Sequence, residues 1–433
     1  MALAENGSAA PIVAAADFLK RIAKTQRLLV AVSGGSDSAG LLYALVEAAR
    51  KTGFPRNFLV ACTVDHGLRA ESGEEADQVA SLCRRLGVEH HIRHWDGEKP
   101  ATGLMAAARL ARYRLLADLA GEIGADIVVT GHTLDDQLET VAMRSQRGNE
   151  GRGLSGMAEV TLFDARLWIA RPFLGVRREA IRDMLREAHF DWIDDPSNEN
   201  MRYERVRVRG LDAENIAIED IRQAGRERAK LAKAAARIIA DDVECPLAGC
   251  FALPASVISG GAGELALRVL IAVAGGQTFL PNDDKAQRLI DKITSGENFR
   301  QTLSRAVIEK RSGMLCIYRE ARNLPNLDLA AGESGIWDGR FRVLNKGMKA
   351  VRLSPSPDIA EEGATWSEYL PKGTVRRILR AFPSVADDVQ AQLEIMPHLA
   401  LFENFLPGFD VSLAEEMAKL TQRPVFPKAP LEV

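Results

Sequence analysis

The segment from residue 28 to residue 38 brings glycine, hydroxyl and carboxylate groups together directly after an apolar run, in the sequence LLVAVSGGSDS. A buried strand that enters a glycine-rich turn and then a helix directs backbone N–H groups towards one point, which is the geometry of a phosphate site. Glycine suits such a turn because it lets the backbone approach a phosphate closely and adopt positive φ. We therefore predict that a phosphate-bearing ligand binds at Ser33, Gly34, Gly35, Ser36, Asp37 and Ser38.

Two common phosphate-loop patterns do not describe this segment. Gly35 and Gly40 have the glycine spacing of a Walker A loop, but Leu41 stands where that loop has lysine. The dinucleotide-binding pattern fails at Ser36, where its second glycine is required. The Ser-Gly-Gly tripeptide at residues 259–261 repeats part of the motif without a buried strand before it, and we interpret it as a plain loop.

Polar residues also follow two further predicted strands, as TVDHGLR at residues 63–69 and as GHTLDDQLET at residues 131–140. Because the carboxyl ends of parallel strands share one edge of a sheet, we expect these residues to lie beside the phosphate loop. Asp136 has two interpretations. It helps to cap a helix that starts at Thr133, or it forms with Asp135 a pair of acids beside the phosphate ligand that binds Mg²⁺, which neutralises phosphate charge. We favour the magnesium site and keep the cap as the alternative.

Short β-rich runs alternate with amphipathic stretches in the first half of the chain. The predicted strands are residues 27–32, 57–64, 88–95 and 126–130, and the predicted helices are residues 37–51, 71–86 and 104–123. Three of the strand runs are almost continuously apolar, which is typical of strands covered on both faces. Arg109 and Arg112 share one face of the third helix. This pattern predicts an α/β fold with a doubly wound parallel sheet.

The pattern changes after residue 170. The predicted elements there are an amphipathic helix at 176–189, a long helix at 213–242, helices at 263–273 and 284–294 with strand-like runs behind them, and a basic helix at 373–382. We predict three domains. They are the α/β catalytic domain at residues 1–215, a mainly helical domain at 216–322 and a small α+β domain at 323–433.

The charge balance of the 433 residues, 56 Lys and Arg against 59 Asp and Glu, excludes a globally basic nucleic-acid coat but not a local basic patch. One patch alternates as a strand would and contains Arg202, Arg205, Arg207 and Arg209. A solvated edge strand is the alternative interpretation of that patch. A second patch lies on the basic helix and contains Lys372, Arg376, Arg377 and Arg380.

The five cysteines form no CxxC pair, which predicts reduced thiols in a cytoplasmic protein. No apolar run approaches the roughly 18 residues of a membrane span, so we expect no membrane partner. The sequence leaves the oligomeric state open, with a homodimer among the alternatives.

The motif SGGSDS after a strand closely resembles the signature of the ATP-pyrophosphatase, or PP-loop, family, whose members bind ATP and cleave it between the α and β phosphates. The motifs DHGLR, ARLARY, GHTLDDQLET and DPSN, followed by RVRVR, are similar in content and order to the tRNA(Ile)-lysidine synthetase family. That family adenylates the wobble cytidine in the CAU anticodon of isoleucine tRNA. The ε-amine of free L-lysine then displaces AMP and gives lysidine, which pairs with A.

The resemblance implies a role for each matching residue. The loop from Ser33 to Ser38 binds ATP with support from Arg109, and Asp37 and Asp136 bind Mg²⁺. Arg112, His132 and Asp136 surround the α-phosphate and the reacting base, and Asp37 is the fourth catalytic residue. The four arginines from 202 to 209 contact tRNA. A carboxylate must also bind the lysine ammonium group and accept its proton, and Asp135, Asp136 and Glu139 are unranked candidates.

Three rival functions remain open. A PP-loop enzyme that inserts sulfur into a tRNA base commonly needs a CxxC pair, which is missing from this sequence. A PP-loop ligase that acts on a small metabolite is the second rival. The third is an ATP-binding RNA-recognition protein without catalysis, and the presence of Asp37, His132 and Asp136 argues against it.

Overall fold

The computed structural model describes residues 9–55, 58–67, 72–146, 151–193, 217–356, 370–385 and 392–431. The chain forms two compact units. The first contains Met1–Arg228, Pro407–Phe409 and Pro427–Val433, and the second contains Ala229–Leu406 and Asp410–Phe426. A further division near residue 322 stays a prediction. No helix within the described ranges is long and apolar enough to cross a membrane.

Six strands of the first unit belong to one sheet: β1 (Leu28–Ala31), β2 (Leu59–Asp65), β3 (Glu89–His94), β4 (Ile127–Thr130), β5 (Val160–Phe163) and β6 (Leu167–Ala170). They lie in the order β5-β6-β4-β1-β2-β3, and all neighbours are parallel except β5 and β6. Every residue of β1 and β4 is buried, as expected of apolar strands covered on both faces. The predicted α/β sheet is confirmed.

The helices of the first unit are α1 (Pro11–Lys20), α2 (Ser36–Thr52), α3 (Ser72–Leu86), α4 (Leu104–Ile123), α5 (Leu134–Gln146) and α6 (Arg178–Glu187). The chain runs from β1 outward to β2 and β3 and then returns to β4 on the other side of β1. Because such crossovers are right-handed, α2 and α3 lie on one face of the sheet and α4 on the other. The carboxyl ends of β1 and β4 therefore form the reversal point at which doubly wound sheets bind ligands.

The second unit combines helices with antiparallel sheets. Its helices are α7 (Ile218–Asp242), which begins in the first unit, α8 (Gly260–Ala274), α9 (Asp283–Thr294), α10 (Lys372–Leu379), α11 (Ala400–Glu403) and α12 (Val411–Leu420). Its main sheet is formed by β7 (Glu244–Leu247), β8 (Cys250–Pro254), β9 (Phe299–Leu303), β10 (Ala306–Arg311) and β11 (Met314–Arg319), in the order β7-β8-β11-β10-β9. The predicted helices are present, and the sequence had indicated the sheet only as strand-like runs.

Two smaller sheets lie towards the C-terminus. One contains β12 (Leu327–Leu329), β15 (Val351–Pro355) and β16 (Pro383–Ser384), and the other contains β13 (Ser334–Trp337), β14 (Phe341–Asn345) and β17 (Leu393–Pro397). A short strand β18 (Phe405–Pro407) follows. The core between these strands contains Trp337, Phe341 and Leu353, all nearly or fully buried.

One expectation about the second unit was wrong. The tripeptide at residues 259–261 is not a plain loop, because α8 begins at Gly260 with Ser259 as its N-cap. The apolar helix that follows packs on β10 and β11, and such packing stabilises its first turn. The basic surface on α10 stays a prediction, and one of its residues has an acidic partner. Arg377 donates to Glu309 Oε2 and Tyr318 Oη, both at 3.0 Å, because the buried carboxylate of Glu309 requires a partner.

A buried ion cluster joins the main sheet of the second unit to the turn after β13. The carboxylate of Asp338 accepts from Arg319 Nε at 2.9 Å and from Arg340 Nε at 2.7 Å, and it also pairs with Arg305. The side chains of Asp338, Arg319 and Arg340 are 0%, 1% and 3% exposed. Charges so deeply buried are tolerated only when they are paired and hydrogen-bonded.

Candidate active site

The turn between β1 and α2 is held by its own hydrogen bonds. Ser38 Oγ accepts from the backbone N–H of Ser33 at 3.0 Å and donates to the carbonyl of Gly35 at 3.1 Å. Gly34 has φ of +83°, and α2 begins at Ser36 with Gly35 as its N-cap. The first N–H groups of a helix have no partner within the helix, so this preformed turn presents donors to an anion.

The loop after β4 touches this turn. A methyl group at Gly131 would lie 2.8 Å from the carbonyl oxygen of Asp37 and 3.0 Å from Ser38 Cα, so only glycine allows the two loops to come so close. The predicted meeting of the β1 and β4 loops at one sheet edge is therefore present in the structure. It places the 131–140 motif beside the phosphate loop.

Asp37 and Asp136 share one arginine. Arg178, the first residue of α6, donates Nε to Asp37 Oδ2 at 2.9 Å, and its Nη2 lies 3.6 Å from Asp136 Oδ1. Burial raises the pKa of Asp37, Arg178 opposes that rise, and the nearby charge of Asp136 adds to it. The site therefore contains two partly buried carboxylates that repel each other and are bridged by a cation.

The side chain of Asp136 also caps the start of α5. Its Oδ2 accepts from the backbone N–H of Thr133 at 2.8 Å and from Thr133 Oγ1 at 2.9 Å. The capping interpretation is therefore right for Oδ2, while Oδ1 lies towards Arg178.

Asp135 has a different position. Its Oδ2 accepts from the backbone N–H of Arg178 at 2.8 Å and its Oδ1 from Arg177 Nη1 at 3.0 Å, so it caps the start of α6.

His132 is oriented by the end of β4. Thr130 Oγ1 lies 3.4 Å from the carbonyl oxygen of Ala170, to which it donates, and 2.9 Å from His132 Nδ1. From this hydrogen-bond pattern we assign the ring proton to Nδ1 and the lone pair to Nε2. Glu139, one turn after Asp136 on α5, is buried and interacts electrostatically with Arg178.

A second group of residues surrounds the carboxyl end of β2. Burial lowers the pKa of His66, and the positive charge of Arg112 lowers it further. The ring of His66 meets the edge of Trp95 at 5.9 Å, and its Nδ1 is buried without a hydrogen-bond partner among the described residues. Arg109 lies over the ring of Tyr113, 5.1 Å from its centre. Arg112 therefore lies near the end of β2, and Arg109 lies on α4 beside Tyr113.

The structure brings Asp136 close to Asp37 of the 33–38 loop, as predicted. His132 lies in the loop that follows β4. The predicted tRNA contacts Arg202, Arg205, Arg207 and Arg209 lie outside the described residues. Sequence reasoning missed Arg178 and gave no role to His66. Arg177 and Arg178 lie at the start of α6, where a positive charge interacts unfavourably with the helix dipole. Their position in the sequence therefore indicated that they have acidic partners elsewhere.

Comparisons with known proteins identify the family of the chain. A family model described as a PP-loop domain matches residues 11–211. A tRNA(Ile)-lysidine synthase from Rhizobium meliloti is 40% identical over 96% of both chains, and one from Mesorhizobium japonicum is 40% identical over 94% of this chain and 95% of its own. Among solved structures, a U34-tRNA thiolase from Methanococcus maripaludis with its 4Fe-4S cluster aligns with a TM-score of 0.42 and 18% identity, over 50% of this chain and 78% of that chain.

The match to the synthases runs along nearly the whole length of each chain, and the PP-loop model covers the unit that contains the phosphate loop. The chain therefore belongs to the tRNA(Ile)-lysidine synthase family of PP-loop ATP-binding enzymes.

Proposed function

We propose that this enzyme converts the wobble cytidine in the CAU anticodon of tRNA(Ile) into lysidine, with ATP and free L-lysine as co-substrates. The product pairs with A, so the tRNA reads AUA instead of AUG. The observation that carries the proposal is the 40% identity to a tRNA(Ile)-lysidine synthase over 96% of the chain.

ATP is the substrate that the loop 33–38 suits best. In the proposed first step, the O2 oxygen of cytosine attacks the α-phosphate and pyrophosphate leaves, which makes that oxygen part of a leaving group. The donors at the start of α2 bind the departing pyrophosphate, and Arg109 supports the nucleotide. Arg112, His132 and Asp136 surround the α-phosphate, where fixed charges stabilise the transition state.

The carboxylates of Asp37 and Asp136 fit Mg²⁺. Both already lie within reach of one cation, the guanidinium of Arg178. In the described part of the chain, no three His, Cys, Asp or Glu side chains converge on a metal position. Such a pair suits Mg²⁺, which usually takes one or two carboxylates and completes its coordination with phosphate oxygens and water. When bound there, the metal would neutralise phosphate charge.

The second step needs a carboxylate for lysine. The ε-amine must lose a proton before it attacks C2 of the activated base, and AMP then leaves with the former O2. Asp135 is poorly suited because both of its oxygens accept from the start of α6. Asp136 is engaged in the same way, because its Oδ2 accepts from Thr133 and its Oδ1 lies 3.6 Å from Arg178 Nη2. We therefore assign the binding of the ammonium group and the acceptance of its proton to Glu139.

We propose that the chain beyond the phosphate site and its surrounding residues selects the tRNA. We assign tRNA contacts to Arg202, Arg205, Arg207 and Arg209 and to the segments 216–322 and 323–433, mainly through phosphates. The separation of those two segments is supported by the change from the five-stranded sheet to the two small sheets after β11. We place the enzyme in the cytoplasm, where its tRNA substrate is found and where thiols stay reduced.

The test is to incubate the protein with ATP, radiolabelled lysine and tRNA(Ile) bearing the CAU anticodon. We expect label in the RNA together with AMP and pyrophosphate, and no label when Asp37→Asn replaces the wild type. Methionine tRNA with the same anticodon is the specificity control and should stay unlabelled. Release of AMP with another nucleophile but without lysine incorporation would contradict lysidine formation and leave PP-loop chemistry in place.

A further inference from the structure

Arg178 has no counterpart among the residues that the sequence motifs assign. Its Nε is 2.9 Å from Asp37 Oδ2 and its Nη2 is 3.6 Å from Asp136 Oδ1. We propose that Arg178 is a positioning residue whose guanidinium holds the two carboxylates together before ligands bind and then gives up that place to Mg²⁺. The inference rests on the proposed function, because it assumes that this pair is the metal site.

The charges of the pair require a cation in the absence of metal. The side chains of Asp37 and Asp136 are 23% and 15% exposed, so two carboxylates lie close together with little solvent around them. Arg178 is itself only 22% exposed, so solvent screens these contacts weakly. A divalent cation that binds both carboxylates takes the position of the guanidinium, and the two cations therefore compete for the same oxygens.

The helix that carries Arg178 is fixed. A methyl group at Gly40 of α2 would lie 2.2 Å from Ile181 Cγ2, so α6 packs directly on the backbone of α2 at a fully buried residue. The backbone N–H of Arg178 is also bound by Asp135. Since the helix start is held at both points, the arginine side chain moves when the metal binds and α6 stays in place.

The test measures binding of Mn²⁺ alone to the full-length protein by electron paramagnetic resonance, without ATP, lysine or tRNA. Mn²⁺ prefers oxygen ligands in octahedral geometry and therefore reports on a magnesium site. Arg178→Gln removes the competing cation and should bind Mn²⁺ roughly tenfold more tightly than the wild type, which corresponds to about 1.4 kcal/mol. Arg178→Lys keeps a cation without the planar fork and should give an intermediate affinity.

The matched control is Arg177→Gln. It removes the same charge from the adjacent position at the start of α6, where Arg177 pairs with Asp135. Its Mn²⁺ affinity should stay within about twofold of the wild type, by comparison with the tenfold effect that a direct competitor produces. Circular dichroism and thermal unfolding establish that each variant is folded.

Three results would overturn the proposal. They are equal Mn²⁺ affinity in Arg178→Gln and the wild type, an equal gain in Arg177→Gln, and no measurable Mn²⁺ binding in any of these proteins. The assay contains no RNA or lysine. If lysidine does not form but Arg178→Gln binds Mn²⁺ more tightly, the proposed reaction is rejected and the competition between Arg178 and the metal is kept. If lysidine forms but Arg178→Gln does not bind Mn²⁺ more tightly, the reaction is kept and the competition is rejected.

Discussion

At the residue scale, Asp136 illustrates how one carboxylate satisfies two demands. Its Oδ2 binds the start of α5, and its Oδ1 lies towards a cation. The first contact could be predicted from the spacing of Thr133 and Asp136. The second could not, because Arg178 follows its other partner, Asp37, by 141 positions and no local pattern relates them.

Gly34 provides the sharpest test of the phosphate loop. Its φ of +83° is strained for any other residue, and a methyl group there would lie 2.6 Å from Ile193 Cδ1. We expect Gly34→Ala to lower the free energy of unfolding by about 1–3 kcal/mol and to weaken ATP binding. Urea unfolding and a nucleotide titration measure the two effects.

Gly35→Ala is the matched control for stability. Gly35 has φ of −67°, and the nearest atoms to an added methyl group lie 3.9 Å away. Its cost should be less than about 1 kcal/mol, the size of an N-cap effect. Equal destabilisation by both substitutions would show that the positive φ does not constrain this loop.

His66 should make the stability of the protein depend on pH. Its pKa is lowered in the folded state from the ordinary value of 6.5, by burial first and by Arg112 next. The unfolded chain therefore binds this proton more readily, and stability falls as pH drops through about 6.5. We expect His66→Asn to lose less stability than the wild type between about pH 7.5 and pH 5.5, the range in which histidine titrates.

Urea unfolding at several pH values measures this difference. His90 also has a lowered pKa, caused mainly by burial, so the acid slope of the His66→Asn variant should be reduced and not abolished. Parallel pH profiles for the wild type and the variant would rule out the effect of His66.

At the scale of elements, the first unit was the easier part to predict. Its strands β1 and β4 are fully buried, so their apolar runs identify them, and the helices between them follow the spacing of apolar residues. The antiparallel sheet of the second unit was harder. Strand β9 alternates between half-buried and exposed residues, and β7 and β8 are short and each contain a proline. Alternation of that kind is weaker evidence than a continuous apolar run.

The contact between α2 and α6 gives a prediction at this scale. Gly40→Ala places a methyl group 2.2 Å from Ile181 Cγ2 and should destabilise the protein by about 1–3 kcal/mol through overpacking. The double substitution Gly40→Ala with Ile181→Ala should cost less than the sum of the two single substitutions, because the smaller side chain at position 181 makes room for the added methyl group. Urea unfolding of the two single variants and the double variant measures the coupling.

Gly121 is the matched control. It lies inside α4, and nothing within 4 Å would meet an added methyl group. Gly121→Ala should therefore stabilise the protein by about 0.5–1 kcal/mol through helix propensity. If both glycine substitutions change stability in the same direction, close packing at Gly40 is not the cause.

At the scale of the whole molecule, the ion cluster of the second unit carries the largest expected effect. Asp338→Asn leaves Arg319 and Arg340 buried without a carboxylate and should cost about 3–5 kcal/mol. Trp337 is fully buried beside it, so tryptophan fluorescence during urea unfolding reports on this region.

Asp328→Asn is the control, because Asp328 and Arg352 are 72% and 63% exposed and such pairs contribute less than about 1 kcal/mol. Similar losses in both variants would contradict a special role for the cluster.

The same cluster has a consequence for how the protein can be divided. Arg319 precedes and Asp338 follows residue 322, the position at which the composition changes. A chain cut there would give one fragment with Arg319 buried for a carboxylate that it no longer possesses and another in which Asp338 keeps only Arg340 as a partner. We therefore expect the segments 216–322 and 323–433 to fold, express and crystallise only as one piece, even though each is proposed to make its own tRNA contacts.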